Sequence, residues 1–196
     1  MAGALAERAW CLLMARGAAK YVAFLRAINV GGHVVKMDVL RRAFESLGFS
    51  NVETFIASGN VFFESSSHDR GALEAMIEKK LEKVLGYEVH TFVRTCAEVA
   101  AIATYEPFSR KAAQKAGAFV VGLVAGPIDA ACTKKLMALK TDVDQFHVNG
   151  QEVYWLCTVK QSDSAFSNAL FEKTLGVRAT FRGLSTIRRM AKRYGE

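Results

Sequence analysis

No pair of cysteines in this chain has metal-site or redox spacing. Cys11, Cys96, Cys132 and Cys157 form no C-x-x-C, and His33, His68, His90 and His147 are scattered. A zinc site and a disulfide framework are therefore excluded, and neither a metal nor a cofactor is expected. Cys132 and Cys157 lie in apolar patterns and read as small buried hydrophobes. This cysteine usage fits a reducing, cytoplasmic compartment. Long apolar runs are missing too, and nothing approaches the roughly 18 residues of a membrane span. Near the N-terminus, WCLLMA is short for a signal-peptide core and Glu7 precedes it. Residues 1–20 read as an extension, either disordered or weakly helical or a non-native start, with Met14 as an alternative first residue. Neither G-x-G-x-x-G nor G-x-x-x-x-G-K-S/T occurs, so no established nucleotide fingerprint is present.

What is present is enough for a real core. Apolar residues make up 51% of 196, which suits one large or two small globular domains. The net charge is +7, of which residues 1–94 contribute +2 (12 basic, 10 acidic) and residues 95–196 contribute +5 (14 basic, 9 acidic). That surplus favours acidic partners such as phosphates or nucleic acid, although a mildly basic protein needs no such partner.

YVAFLRAI (21–28) is nearly continuously apolar and reads as a buried central strand. Leu40, Ala43, Phe44 and Leu47 follow at helical spacing, with Gly48 as the stop. VETFIA and NVFFE read as strands around a Ser58-Gly59 hairpin. Ser65–Ser67 and Asp69 offer caps for a helix that buries Leu73, Ile77, Leu81, Val84 and Leu85 and stops at Gly86. VHTFVR (89–94) is a fourth strand. The order βαββαβ then recurs. AFVVGLVA is followed by a helix opened by Pro127, a hairpin at Asn149-Gly150, a helix ending at Gly176, the strand RATFR, and an extra helix over 185–194. The pattern predicts an α+β protein of two tandem ferredoxin-like (βαββαβ) domains with antiparallel sheets, plus a C-terminal helix. The divisions are 21–94 for the first domain, 95–117 for a linker helix and the basic stretch SRKAAQKAG, and 118–196 for the second domain.

Right-handed crossovers impose strand order 4-1-3-2 in each unit. The end of the first strand then lies beside the start of the third, and the turn into the fourth, carrying Tyr87 and His90, lies at the same edge. One rim thus gathers Arg26, Asn29, Gly31, Gly32, His33, Lys36, Ser58, Gly59 and Asn60. The glycine pair should approach Gly59 or Asn60 to within about 10 Å. Gly31-Gly32 either permits a tight exit from the strand or presents bare backbone N–H groups to an anion. Gly59 and Asn60 equally suit a turn that satisfies its own backbone.

FLRAINVGG, followed by KMDVLRRAFESLGFSNVETFIASGNVFFES, resembles the bacterial family catalogued as domain of unknown function 1697. Its members read LLRGINVGG near the start and Y-x-Q-S-G-N-V-F some way on. The likeness covers about residues 21–196 and implies two ferredoxin-like domains, with no established activity. Ala27 stands where the family has glycine, and Ala57 where it has glutamine. Near the C-terminus SAFSN and TFRGLSTI replace the S-K-L-S/T-N and T-T-R-N-W-N-T patterns, with Ser164, Asn168, Arg182 and Thr186 kept.

Three functions are consistent with these residues. The first is a module that binds an anionic small molecule or phosphate-bearing ligand at the rim, with Arg26 as its cation. The second is an RNA or DNA binder using Arg182, Arg188, Arg189, Lys192 and Arg193, with Phe24, Phe62 and Phe63 on a sheet face. The third is an enzyme with an interdomain site, for which His33 and His90 are the titratable groups.

Overall fold

A computed structural model describes residues 17–28, 35–56 and 59–194. Among these residues the chain is a mixed α+β protein with two four-stranded antiparallel sheets, dividing into two compact units between Thr95 and Cys96. The first unit runs β1 (Ala19–Leu25), α1 (Met37–Glu45), β2 (Ser50–Phe55), β3 (Asn60–Ser65), α2 (Arg70–Leu85) and β4 (Thr91–Thr95). Its strand order is β2-β3-β1-β4, as the crossover argument requires.

Strand alternation makes two faces of this sheet. Tyr21, Ala23, Leu25, Val61, Phe63 and Val93 pack against Leu40 and Phe44 of α1 and Leu73, Ile77 and Leu81 of α2. Each such large side chain contributes about 2 kcal/mol by leaving water. Asp69 caps α2 by accepting from the Ala72 N–H at 3.0 Å, and Gly86 closes the helix at φ 80. Val84, expected inside, is instead 42% exposed in the last turn of α2.

β1 begins at Ala19, two residues earlier than expected, with Lys20 facing Glu64 across the strand pair. The outer edge of β4 is closed by its own helix. Glu78 accepts from the Thr91 N–H and Glu74 from the Val93 N–H, each at 2.8 Å. Burial raises the Glu74 carboxyl above its ordinary pKa, against the pull of the Val93 N–H. On the other edge, the β2–β3 register shifts between Ser50 and Glu53, and Asn51 has φ 49.

The second unit runs α3 (Cys96–Thr104), α4 (Arg110–Lys115), β5 (Ala118–Val124), α5 (Ala130–Met137), β6 (Asp144–Asn149), β7 (Glu152–Cys157), a 3-10 turn (Gln161–Asp163), α6 (Asn168–Leu175), β8 (Ala179–Gly183) and α7 (Leu184–Tyr194). Its order, β6-β7-β5-β8, repeats the first. The repeat extends to single residues. Val22 faces Arg94 as Val121 faces Arg182, and each arginine donates an Nη1 bond at 2.9 Å to the carbonyl of the residue before it.

The stretch 95–117, read from the sequence as a linker helix and basic loop, contains two helices. α3 buries Val99, Ile102 and Ala103 and packs on α7, so its apolar face is satisfied inside the second unit. α4 winds up the basic stretch, with Ser109 accepting from the Ala112 N–H at 3.2 Å.

Candidate functional site

Three strand ends of the first unit converge in the backbone. The Leu25 N–H donates to the Gly59 carbonyl at 2.7 Å, and the Arg26 N–H donates to the His90 carbonyl at 2.8 Å. Phe24 pairs with Asn60 and Phe55 pairs with Asn60 on its other side. The rim therefore brings together Arg26, Gly59, Asn60 and His90. Lys36 is exposed immediately before α1. Asn29, Gly31, Gly32, His33 and Ser58 lie outside the described residues.

The loop between β2 and β3 is longer than a two-residue hairpin. Phe55 pairs with Asn60, so four residues intervene, because Ile56 turns left-handed at φ 51 and ends β2 early. Gly59 also has positive φ, 73, and a Cβ there would meet Ile28 and Leu25. Asn60 is 1% exposed, and its Nδ2 donates to the Phe55 carbonyl at 3.2 Å, clamping the loop.

Among the described residues of this rim, Ile56 and Ala27 (φ 56) are the non-glycine ones with left-handed backbone. That conformation costs a residue with a Cβ about 1–2 kcal/mol. Ala27 holds φ 56, a backbone region that glycine enters without a Cβ penalty. Ala27→Gly is therefore expected to raise stability by about 0.5–1 kcal/mol, the strain relieved less the chain entropy restored. Urea unfolding would read this as a higher midpoint at unchanged slope.

His90 lies at the β4 end of the rim. It is half-buried, with Nδ1 3.7 Å from Glu78 Oε1 and Nε2 3.3 Å from Glu88 Oε2. The approach to Glu88 lacks hydrogen-bond alignment, leaving Nε2 without a formal partner. One of these carboxylates, Glu78, also holds the β4 edge. The sequence suggested His90 but not its carboxylates, since Glu78 arrives from another element.

Of the basic residues singled out in the second unit, Arg182 stands apart from the four on α7. Arg182 turns along its own sheet, with Nη1 donating to Thr180 Oγ1 at 2.8 Å, and burial lowers its pKa to about 10. Arg188 spends its Nε on the Ala103 carbonyl at 3.1 Å, tying α7 to α3. Arg189, Lys192 and Arg193 are exposed on α7, and Arg193 lies over the Tyr194 ring at 5.2 Å. In the first unit Phe24, Phe62 and Phe63 are at most 4% exposed, and Phe63 belongs to the helix-side core. They offer no stacking platform.

Sequence reasoning missed a buried carboxylate. Asp144 is 1% exposed and accepts from Trp155 Nε1 at 2.8 Å, from Ser164 Oγ at 2.8 Å and from Thr141 Oγ1 at 3.0 Å. Burial pushes its pKa up, but the donors outweigh burial and hold it below the ordinary aspartate value. The available signal was alternation, which puts Asp144 on the same inward face of β6 as Phe146. Ser164, named in the sequence analysis, is one of its donors. Cys157 is buried and Cys132 half-buried, and burial raises both thiols, making them poor nucleophiles. Among the described residues no group of three or more His, Cys, Asp or Glu side chains is gathered to hold a metal ion. No helix among them is long and apolar enough to cross a membrane.

The family model for the protein of unknown function DUF1697 matches residues 18–154, and the chain belongs to that family. No curated protein matches it. Among solved structures it is similar to the conserved bacterial protein SP0830 from Streptococcus pneumoniae, at 20% identity and a TM-score of 0.70, over 92% of this chain and 100% of that one. At that identity the likeness concerns the fold.

Proposed function

We propose that this chain is a binding protein built from two ferredoxin-like domains, and that the rim formed by the ends of β1, β3 and β4 holds an anionic small molecule or phosphate-bearing ligand. The strand order found in both sheets supports the ferredoxin-like assignment. One observation carries the site. Left-handed, non-glycine backbone at Ala27 and Ile56 is concentrated at the rim where Arg26 and His90 meet. Strain of this kind persists where the surrounding structure and a functional geometry require it. Arg26 supplies a permanent positive charge. The absence of redox or metal-site cysteine spacing suits a cytoplasmic protein.

The test is thermal unfolding with inorganic phosphate, pyrophosphate and ATP as probes. A ligand that binds only the native state raises its melting temperature. Arg26→Ala is expected to weaken the effective probe by about 10- to 100-fold, the loss of one charge-assisted hydrogen bond, while staying folded. No shift with any probe at millimolar concentration, or an unchanged shift in Arg26→Ala, would sink this reading.

A further inference from the structure

We propose that the β6 edge of the second unit is a dimer interface, on which a second copy of this chain adds its own β6 antiparallel across a two-fold axis at His147. β6 is the outer strand of its sheet, and its register with β7 is unbroken from Asp144 to Asn149. One hydrogen bond sets the alternation along β7. The Val124 N–H donates to the Gln151 carbonyl at 3.1 Å, so Gln151, Val153 and Trp155 turn their backbone groups to β5. Glu152, Tyr154 and Leu156 therefore turn theirs to Asn149, His147 and Gln145. Asp144, Phe146 and Val148 are left with amides and carbonyls aimed away from the sheet.

Both ends of this row are closed. The Asp144 N–H donates to Thr141 Oγ1 at 3.0 Å, and the Asp144 carbonyl accepts from the Thr141 N–H at 3.1 Å. Past Asn149, the Gly150 carbonyl accepts from the Ile128 N–H at 3.0 Å. Between them, the outward groups of Phe146 and Val148 have no intrachain partner among the described residues. The other edges are guarded. Glu74 and Glu78 take amides of β4, and the Ala179 N–H of β8 donates to Glu172 Oε1 at 2.9 Å. β2, the counterpart of β6 in the first unit, is broken by its register shift. β6 has none of these devices, and from Gln145 to Asn149 it holds no lysine, arginine, carboxylate, proline or glycine.

What is open suits a second copy better than a free peptide. Pairing about His147 sets Phe146 of each copy against Val148 of the other, and the two amides and two carbonyls of each copy satisfy those of its partner. On the core side this makes an aromatic against a β-branched residue, a favourable cross-strand pair. On the other side Gln145 meets Asn149, so no like charges oppose. A free peptide would lose conformational entropy in being extended, whereas β6 is already held extended by β7. The pairing also ends itself. Both copies use their β6 edge at the axis, and β8 at the far edge has its Ala179 amide occupied, so the product is a closed two-fold dimer.

The experiment is sedimentation velocity of the full chain from about 5 to about 500 μM, in about 0.3 M salt to screen the +7 carried by each copy. A monomer–dimer equilibrium with no larger species is expected. Charge reads the register. Gln145→Lys with Asn149→Lys sets lysines opposite each other at two cross-strand positions and should weaken dimerisation about tenfold. Gln145→Glu with Asn149→Lys makes both pairs attractive and should return the affinity to within about threefold of the unaltered chain, or tighten it. Gln145 is half-exposed and Asn149 exposed, and thermal melting confirms that each variant folds. Crosslinking is independent of charge. His147 faces its own copy at a position without ladder hydrogen bonds, where Cα atoms lie about 4.5 Å apart, within disulfide reach. Under mild oxidation His147→Cys should form a covalent dimer. Gln145→Cys, which faces Asn149, should form no more of it than the unaltered chain does. A monomer throughout that range, open-ended assemblies, a dimer indifferent to both charge pairs, or equal crosslinking of the two cysteine variants would each overturn the proposal.

Discussion

Asp144→Ala is expected to cost about 3–5 kcal/mol of folding stability, a large share of what a domain of this size possesses. The carboxylate collects bonds from Trp155 Nε1, Ser164 and Thr141 beneath β6 and β7. Removing it leaves the buried indole N–H without an acceptor and leaves a void near Phe166, whose ring meets Trp155 edge to face at 4.8 Å and whose N–H is held by Ser164 at 2.9 Å. Guanidinium unfolding would show the loss, and the tryptophan emission of the native state would shift with it. The pH dependence has a definite sign. The folded pKa of Asp144 lies below its unfolded value, so its contribution is complete above the unfolded value. It declines as pH falls below the unfolded pKa of about 3.9 and is gone below the folded one. Asp144→Asn should remove that acid-range slope while costing less than Asp144→Ala. An unchanged slope would mean that another carboxylate governs acid unfolding.

Gly59→Ala has the second-largest expected effect, about 3 kcal/mol. Two costs add. The left-handed backbone at φ 73 penalises any Cβ by about 1–2 kcal/mol. The new methyl also lands on Ile28 Cγ2 and Cβ and on Leu25 Cβ. Leu25 is locked by its N–H to the Gly59 carbonyl, so relief must come from Ile28 or from the rim itself. The measurement is the urea midpoint, set beside ligand response in the thermal-shift experiment. Gly86, also left-handed but with open space around it, is the control, and Gly86→Ala should show the backbone cost alone. Equal losses at the two sites would show that the contact with Ile28 is negligible.

The parts of the fold legible in the sequence were those governed by local chemistry. β1 is apolar on both faces, which marks it as central, and Asp69, Gly48 and Gly86 punctuate helices in the ordinary way. From those and the handedness of crossovers, the end of β1 was expected beside the start of β3, where Leu25 bonds to Gly59, while Gly31 and Gly32, expected within about 10 Å of that turn, lie outside the described residues. What was not legible depended on partners distant in sequence. Ser58-Gly59 looked like a tight hairpin because nothing in IASGN announces that Ile56 adopts φ 51. Arg182 looked like part of a basic surface because its hydroxyl acceptor, Thr180, is fixed only once β8 pairs with β5. Asp144 drew no notice because two of its three donors, Trp155 and Ser164, lie 11 and 20 positions away. The rim was found by topology.

The carboxylates of α2 along β4 have a consequence for how the protein behaves at high concentration. An unpaired strand edge offers its amides to any other extended chain, and growth of fibrils or exchange of strands between copies begins there. With the amides of Thr91 and Val93 already taken by Glu78 and Glu74, and that of Ala179 in β8 taken by Glu172 at 2.9 Å, those edges have few donors left to recruit a newcomer. On β2 the shifted register around Asn51 bends the edge out of line. Strand-mediated aggregation should therefore not begin at β4 or β8, and neutralising Glu74 and Glu78 together would remove the protection of β4 before it removed the fold.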